Sequence, residues 1–401
     1  MIANTLALNL IAKVMDWDDI EATQEYEWLR LMAGVKYDGY SDFAAGAGFS
    51  EALVDWLHQF QPADRKVAYR FVKERLVYIS SAEMQRVIES FLPEVVTPYL
   101  RRCVAEDNGI EAHEVWATAE HAKAFSDRMR RCLFVGLSDG SRIDILRRAN
   151  AGRLSQEQVI PMMNVDNEKW RSLGKDLRDE QGHDAKFQDV YLIDDFTASG
   201  TTFVRIKEDG LPKGKLPKFE NIIQEAKKAI GDDFPIADGF RLHIHHYIST
   251  TQARAALDER VGSVASDMVN RSFDAEFLSQ DGLTEGLLLG DDLPLGFLSS
   301  DIKPQGKVEV ESDGLRSNRS SDEDMIKLCE DVYDPALFKR LEKHCREAGM
   351  STMCYGYGHC ALPLILEHNT PNNSVPLLWA ETGTPTKPLM RPLFHRRDRH
   401  G

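Results

Sequence analysis

The segment from Val190 to Thr202 constrains the fold of this chain more than any other. It reads Val190-Tyr-Leu-Ile-Asp194-Asp195-Phe-Thr-Ala-Ser-Gly200-Thr-Thr202, so four apolar residues precede two acids and a run of small, hydroxyl-bearing residues. Consecutive apolar residues are typical of a strand buried on both faces, as in parallel sheets covered by helices. Open α/β sheets bind ligands at the carboxyl ends of their strands. The segment therefore predicts an α/β core with a ligand site at one edge.

Three more short apolar runs show the same order of strand, turn and helix-like stretch. They are Cys132–Leu137, Gln158–Met163 and Phe240–Ile248. Buried strands that alternate with helices are typical of a mainly parallel sheet with helices on its faces. We therefore predict the α/β class, with a parallel-sheet core.

The chain around this core divides into four predicted segments. Residues 1–125 carry apolar residues at spacings of three and four, which predicts an all-α N-terminal domain. Residues 126–273 contain the core strands. Residues 274–325 are rich in Gly and Asp and end in a polar run, which indicates an inserted segment. Residues 326–401 predict helices and two hood strands that complete the core.

Composition excludes several function classes. The 401 residues include 49 Lys+Arg and 64 Asp+Glu, giving a formal charge of −15 that disfavours broad nucleic-acid binding. No apolar run approaches the roughly 20 residues that span a bilayer. The N-terminal stretch reads as a helix and not as a signal peptide. Six irregularly spaced cysteines are typical of reduced thiols, so we expect a soluble cytoplasmic protein.

The acids and the loop after Ile193 offer two kinds of binding group side by side. Asp194 and Asp195 can bind the hydroxyl groups of a sugar. Gly200 allows close approach of the backbone, and successive N–H groups at a helix start can hold an anion. A phosphorylated sugar needs both kinds of group, so we predict such a ligand at this edge.

This segment resembles the phosphoribosyl-pyrophosphate (PRPP) signature of type I phosphoribosyltransferases. That family has an apolar strand, two acids, an apolar residue and a Thr/Ser-Gly-x-Thr loop, and Phe196 here replaces a smaller aliphatic residue. The resemblance implies that Asp194 and Asp195 contact the ribose hydroxyls. It also implies Mg²⁺ as a cofactor near these acids, bound through water or the ribose. The expected 5′-phosphate loop consists of Thr197, Ala198, Ser199, Gly200, Thr201 and Thr202.

An earlier turn lies where the family places its pyrophosphate loop. Five residues form it, namely Ser138, Asp139, Gly140, Ser141 and Arg142. Backbone N–H groups and the Arg142 guanidinium could meet a diphosphate there. A plain strand–helix connection explains the same residues, and both interpretations stay open. Family members also close a mobile loop over pyrophosphate, for which the candidate is residues 164–186 with its four basic side chains.

The wider pattern resembles the phosphoribosyltransferase-like proteins of bacterial conflict and antiphage-defence loci. The resemblance rests on a helical N-terminal region, the 136–144 turn, the Asp-Asp motif and the tail from residue 367 to 379. It implies a role in antiphage defence, a partner protein bound through residues 1–125, and a homodimer. The candidate acceptor site in the tail consists of Glu367, His368, Asn369, Asn372, Asn373 and Trp379. A tight turn explains the Asn-rich part of this tail equally well.

Two groups of metal-binding residue types do not form a recognisable metal motif. His243 and His245 share one strand face but lack a third ligand at useful spacing, so we interpret them as hydrogen-bonded core residues. The spacings of Cys345, Cys354 and Cys360 fit no common zinc pattern.

Two functions fit the sequence. The leading hypothesis is a phosphoribosyltransferase-like enzyme that binds PRPP or a nucleotide with Mg²⁺ and makes or breaks an N-glycosidic bond. The alternative is a non-catalytic sensor of a nucleotide or PRPP that regulates a partner protein.

Overall fold

A computed structural model describes nearly all of the first 250 residues and, beyond them, mainly two stretches near the C-terminal end. The described residues are 4–41, 43, 48–206, 210–250, 287–289, 356–381 and 390–396, with single positions between 253 and 261 and between 325 and 339. The predicted insertion at 274–325 lies mostly outside them. Within the described residues, no helix is long and apolar enough to cross a membrane.

Helices dominate the first third of the chain, as predicted. The described α-helices are α1 (Asn4–Met15), α2 (Asp19–Val35), α3 (Phe49–His58), α4 (Arg65–Arg75), α5 (Ser81–Ser90), α6 (Thr97–Asn108), α7 (Ala119–Arg130), α8 (Ile143–Ala149), α9 (Asn167–Gln181) and α10 (Lys215–Ile230). A π-helical segment, Phe91–Val96, joins α5 to α6. Pro93 lies in this segment, so the proline changes the helical pitch instead of ending the helix.

The strands form three small or medium sheets. They are β1 (Val77–Ile79), β2 (Cys132–Gly136), β3 (Val159–Ile160), β4 (Phe187–Thr197), β5 (Arg205–Ile206), β6 (Pro212–Lys213), β7 (Ile236–Ser249), β8 (Leu287–Leu289) and β9 (Leu364–Leu366). The main sheet has the order β3-β2-β4-β7-β8. All of its neighbouring strands are parallel. The α/β class with a parallel-sheet core is therefore confirmed.

The chain divides into two compact units. One combines Met1–Glu83 with Pro304–Gly401, and the other is Met84–Lys303. Two predicted boundaries differ from this division. Residues 84–125 group with the sheet, and the C-terminal segment groups with the N-terminal helices instead of completing the core.

Packing in the second unit explains why residues 84–125 belong with the sheet. The ring of Phe91 lies 6.2 Å from that of Phe134 and 5.8 Å from that of Tyr191, between ring centroids. The ring of Tyr99 packs edge-on against His243, 4.6 Å away. These contacts place the π-helical segment and α6 over one face of the sheet, where they bury its aromatic side chains.

The first unit has its own aromatic core, which the C-terminal segment completes. The Trp56 indole N–H donates to the backbone oxygen of Leu377 over 2.7 Å, and both residues are buried. Phe394 stacks on Phe49 with ring centroids 5.8 Å apart. Strand β9 pairs in parallel with β1 and not with the main sheet. The second predicted hood strand is a short 3₁₀ helix, Pro376–Leu378, because Pro376 lacks an N–H for a ladder.

The prediction of a mobile loop at 164–186 is wrong, because most of this segment forms helix α9. Asp166 caps this helix by accepting from the Lys169 N–H over 2.7 Å. Trp170, Leu173 and Leu177 lie on one face of α9 and are fully buried against the sheet. Burial of three large apolar side chains anchors the segment in the core, so it cannot serve as a free lid.

Candidate active site

Strands β2 and β4 end side by side and bring the two predicted ligand loops together. Gly136 pairs with Ile193 in the parallel register, and the Leu137 N–H donates to the Ile193 oxygen over 2.8 Å. The next residues on each strand therefore meet at the carboxyl edge. The Ser138 hydroxyl donates to Asp194 Oδ1 over 2.5 Å. The structure thus joins the 138–142 turn to the acid pair.

Asp194 is a buried carboxylate with a lysine partner that the sequence did not reveal. Its other oxygen, Oδ2, accepts from the Lys215 ammonium at the start of α10. Burial and the neighbouring charge of Asp195 raise the pKa of Asp194, while Lys215 and Ser138 act in the opposite direction. Without Lys215, this carboxylate would be a buried charge with little compensation.

Asp195 lies half-buried beside the turn of the first loop. Its Oδ1 accepts from the Phe196 N–H over 2.9 Å. A Cβ at Gly140 would lie 2.5 Å from Asp195 Oδ2, so any larger residue there requires the Asp195 side chain or the turn to move. The backbone of the predicted pyrophosphate loop therefore packs directly on the second acid.

The rest of the 138–142 turn is tightly wound. The Ser141 N–H donates to the Ser138 oxygen over 3.0 Å, and the Ser141 side chain is buried. Arg142 has φ of +46°, in the left-handed region that side-chain-bearing residues rarely adopt. Strained backbone of this kind is common at binding sites. Asp139 is exposed, between Ser138 and Gly140.

The predicted 5′-phosphate loop is buried except for Thr202, and several of its carbonyl groups accept hydrogen bonds from side chains. The Thr250 hydroxyl donates to the Ala198 oxygen over 2.5 Å, and the Arg260 guanidinium donates to the Ser199 oxygen over 3.1 Å. The hydroxyls of Ser199 and Thr201 share a hydrogen bond of 2.8 Å. Gly200 has φ of +69°, which the sharp turn requires.

Several N–H groups of this loop have no acceptor in the part of the chain that the structure describes. Among the described residues, those of Ala198, Ser199, Gly200 and Thr202 donate no hydrogen bond. Ala198 and Ser199 are 3% and 7% exposed, so their backbone has little access to solvent. Buried N–H groups almost always have an acceptor, and an anionic ligand supplies one.

The helix predicted directly after this loop begins later. A hairpin of β5 and β6 is inserted, and α10 starts at Lys215. The chain then returns to the loop, because the Lys215 N–H donates to the Thr202 oxygen over 3.2 Å. Gly214 sits at the crossing with φ of +138°, where a Cβ would lie 2.3 Å from the Phe203 oxygen. The return of the chain brings the positive end of α10 and the Lys215 ammonium to the site.

His246 is a second site residue that the sequence did not reveal. It pairs with Asp194 in the register of β4 and β7, is buried, and packs its ring against Phe203. Burial, the Lys215 charge and His245 lower its pKa to about 3, so the imidazole is neutral at physiological pH. A neutral ring adds no positive charge beside Lys215.

The predicted acceptor residues belong to the other unit and have partners within it. Glu367 accepts from the Ser81 N–H over 2.8 Å at the start of α5, and the Asn373 amide donates to the Tyr357 oxygen over 2.7 Å. The Trp379 indole donates to the Ser374 oxygen over 2.9 Å. The remaining residues lie in the same turn-rich segment, namely His368, Asn369 and Asn372. Their acceptor role stays a prediction.

Both strand histidines are buried, and His243 has a hydrogen-bond partner in the core. His243 Nε2 lies 3.0 Å from Asp189 Oδ1, in the interior of the second unit. Within the described part of the chain, no cluster of three or more His, Cys, Asp or Glu side chains could hold a metal ion. Cys345 and Cys354 lie outside the described residues.

Comparison with known proteins gives one match. The model of the family described as PRTase-CE matches residues 53–396, which include both ligand loops, the acid pair and the tail. No curated protein matches the chain, and no solved structure does. Because the match covers most of the sequence, the chain belongs to the PRTase-CE family, a family of the phosphoribosyltransferase type.

Proposed function

We propose that the carboxyl-edge site binds PRPP or a nucleotide and makes or breaks the N-glycosidic bond of its ribose. The observation that carries this proposal is the buried start of the loop, where the N–H groups of Ala198, Ser199 and Gly200 have no acceptor among the described residues and lie beside an acid pair and a lysine. Buried amides call for an anion, and neighbouring carboxylates suit sugar hydroxyls. A ribose phosphate meets both requirements at once.

Each part of the ligand has a matching group on the chain. The 5′-phosphate takes the N–H groups of Ala198, Ser199 and Gly200, and the Arg260 guanidinium donates to the Ser199 oxygen of the same loop. The ribose hydroxyls face Asp195, whose carboxylate is partly exposed. The diphosphate lies against the 138–142 turn, and Lys215 supplies a nearby positive charge. Local cations and amides thus offset the formal charge of −15 on the whole chain.

The chemistry follows from the charges that the site can stabilise. The bond between C1′ and the diphosphate oxygen breaks, and its electron pair leaves with the diphosphate. A nitrogen of the acceptor base then bonds to C1′, and the proton that this nitrogen loses passes to the leaving diphosphate. Positive charge develops on the ribose ring, which the carboxylates of Asp194 and Asp195 stabilise, and Lys215 offsets the negative charge on the leaving group.

The acid pair suits Mg²⁺ as a cofactor that arrives with the ligand. Hard carboxylate oxygens are the donors that Mg²⁺ prefers, and this ion usually keeps water and substrate phosphates in its shell. Asp194 and Asp195 would hold it. When bound, Mg²⁺ neutralises charge on the diphosphate. Two acids alone are a small set of protein ligands, which favours an ion shared with the ligand over a resident one.

One observation favours the non-catalytic alternative. Ser138 and Lys215 already occupy both oxygens of Asp194. A carboxylate held in this way is less available to the ribose or a metal ion. A sensor that binds the ligand without turnover would use the same loops and pass the signal to a partner protein.

The biological setting is a further part of the proposal. Resemblance to proteins of antiphage-defence loci supports an effector that modifies or depletes nucleotides. A partner protein bound through residues 1–125, and a homodimer, rest on that resemblance alone.

The test is incubation of the full chain with PRPP, Mg²⁺ and a nucleotide pool, with products read by mass spectrometry. We expect a new or cleaved N-glycoside in the wild type and none with Asp194→Asn combined with Asp195→Asn. The matched control is Asp232→Asn with Asp233→Asn, an exposed acid pair in the same unit. Turnover that survives in the active-site double variant would refute the enzyme proposal. Binding of PRPP by the wild type without any product supports the sensor.

A further inference from the structure

A second cavity lies at the opposite edge of the same sheet. Its volume is about 800 Å³, and Arg130, Gln158 and Gln181 are among its lining residues. Arg130 and Gln158 lie just before strands β2 and β3 in the chain, and Gln181 ends helix α9, which precedes β4. The cavity therefore opens at the amino ends of the strands, whereas Asp194 lies at their carboxyl ends. Its volume is within the range of small-molecule sites, roughly 300–1,000 Å³.

The wall of this cavity contains a guanidinium group with unused donors. Arg130 is 8% exposed, and its Nε is paired with Glu180. Its Nη1 and Nη2 are buried and have no hydrogen-bond partner among the described residues. Burial of a guanidinium group with two unpaired nitrogens costs free energy unless a ligand supplies an acceptor. An anionic group of a ligand is the acceptor that this fork geometry suits best.

An aromatic surface faces the same space. Trp116 and Phe125 both line the cavity, and their ring centroids lie 4.7 Å apart with the planes at 64°. Trp116 is 52% exposed, which makes it the largest exposed apolar side chain of this unit. An indole held by a neighbouring ring and open to a cavity offers a flat surface on which a planar ring can stack.

Charge and hydrogen-bonding groups complete the lining. Arg153 is exposed at the cavity and adds a second guanidinium, against the single carboxylate of Glu180. The hydroxyls of Thr97 and Ser126 line the same space. A net positive lining is notable in a chain with a formal charge of −15. The combination of aromatic face, two guanidiniums and hydroxyls is what a base and a phosphate require together.

We propose that this cavity is a second binding site, for a nucleoside monophosphate whose base stacks on Trp116 and whose phosphate pairs with Arg130 and Arg153. The site is separate from the carboxyl edge and independent of any reaction there.

Fluorescence of the full chain during titration with AMP tests this site. We expect saturable quenching in the wild type, and loss of most of that signal in Trp116→Phe. Arg153→Gln should weaken binding at least about tenfold, as loss of one charge-assisted hydrogen bond usually does. Adenosine alone and inorganic phosphate alone should each bind more weakly than AMP. Both substituted side chains are exposed, so these variants should fold; Arg130→Gln is added only if circular dichroism shows it folded.

Two control variants separate this site from the one at the carboxyl edge. Gly200→Ala perturbs the phosphate loop there and should leave the quenching curve unchanged. Ile20→Ala replaces an exposed apolar residue of the other unit and should also have no effect. Quenching that is lost in Gly200→Ala but kept in Trp116→Phe would assign the nucleotide to the carboxyl edge and overturn the inference. Affinity unchanged in Arg153→Gln, or no saturable signal in the wild type, would overturn it as well.

Discussion

The ammonium group of Lys215 pairs with the buried carboxylate of Asp194, although the two residues lie 21 positions apart in the chain. The pair forms because the β5–β6 hairpin lies between the loop and α10 in the chain, and the Lys215 N–H at the start of α10 donates to the Thr202 oxygen. A positive charge is thereby fixed between two ligand loops. This lysine is therefore the residue on which the electrostatics of the candidate site depend most.

Replacing Lys215 with Met should weaken PRPP binding by about tenfold or more, because a charged partner of the diphosphate is lost. The pKa of Asp194 should rise further, since burial and Asp195 would then act without the opposing cation. Isothermal titration calorimetry at several pH values measures both effects, because proton uptake accompanies binding when the carboxyl group titrates.

Lys218→Met is the matched control for this change. It removes an exposed lysine from the next turn of the same helix and should leave the affinity within about twofold. Equal losses in both variants would point to the general charge of α10 and contradict a specific role for Lys215.

Gly140→Ala should lower activity with little loss of folding. The new Cβ would meet Asp195 Oδ2 at 2.5 Å, so either the acid or the turn must move. Displacement of an acid by a fraction of an ångström changes how it meets the ribose. Turnover and unfolding are measured side by side, with Gly239→Ala as the control, since a Cβ there meets nothing within 4 Å. Normal turnover in Gly140→Ala would show that the close approach has no functional consequence.

Gly200→Ala should destabilise the second unit by about 1–2 kcal/mol and weaken phosphate binding, because φ of +69° is unfavourable for alanine. The new Cβ would also lie 3.0 Å from Leu257 Cγ. Denaturant unfolding and PRPP titration measure the two effects. Gly231→Ala has a similar φ of +56° and no neighbour within 4 Å, so it reports the backbone strain alone. If both variants bind PRPP equally well, the 5′-phosphate does not use this loop.

Sequence patterns predicted the sheet, and they place each of the two candidate ligand loops, because these features depend on contiguous residues. Four apolar residues and two acids specify β4 and its carboxyl end without reference to the rest of the chain. Ser138 and Asp194 meet because parallel strands end at one edge, which the strand order alone implies.

Other features depend on contacts between distant segments. The local sequence does not distinguish Lys215 from a surface lysine, because its contact with Asp194 depends on the β5–β6 hairpin that precedes it. The basic side chains between residues 164 and 186 fit a mobile loop, but Trp170, Leu173 and Leu177 have the spacing of a buried helical face and belong to helix α9. The C-terminal tail was assigned to the core, but its partner is the aromatic cluster around Trp56, a match that no local pattern reveals.

Asp189→Asn should destabilise the second unit by about 3 kcal/mol, as expected when one partner of a buried ion pair is removed. Asp189 is fully buried and accepts hydrogen bonds from His243 and Tyr99, with Arg128 3.7 Å away. Burial by itself would raise the pKa of Asp189, but His243, Arg128 and Arg241 together hold that pKa below its usual value.

The sign of the pH effect follows from this lowered pKa. The carboxylate stabilises the fold at pH values above the unfolded pKa of about 3.9, and this contribution is lost as the pH falls through the lower folded value. Denaturant unfolding of the wild type between pH 7 and about 3 should therefore show a steeper loss of stability than Asp189→Asn shows. Asp232→Asn, at an exposed position, should follow the wild-type curve. Parallel curves for the wild type and Asp189→Asn would mean that another acid controls the acid unfolding, and that the His243–Asp189 pair contributes little.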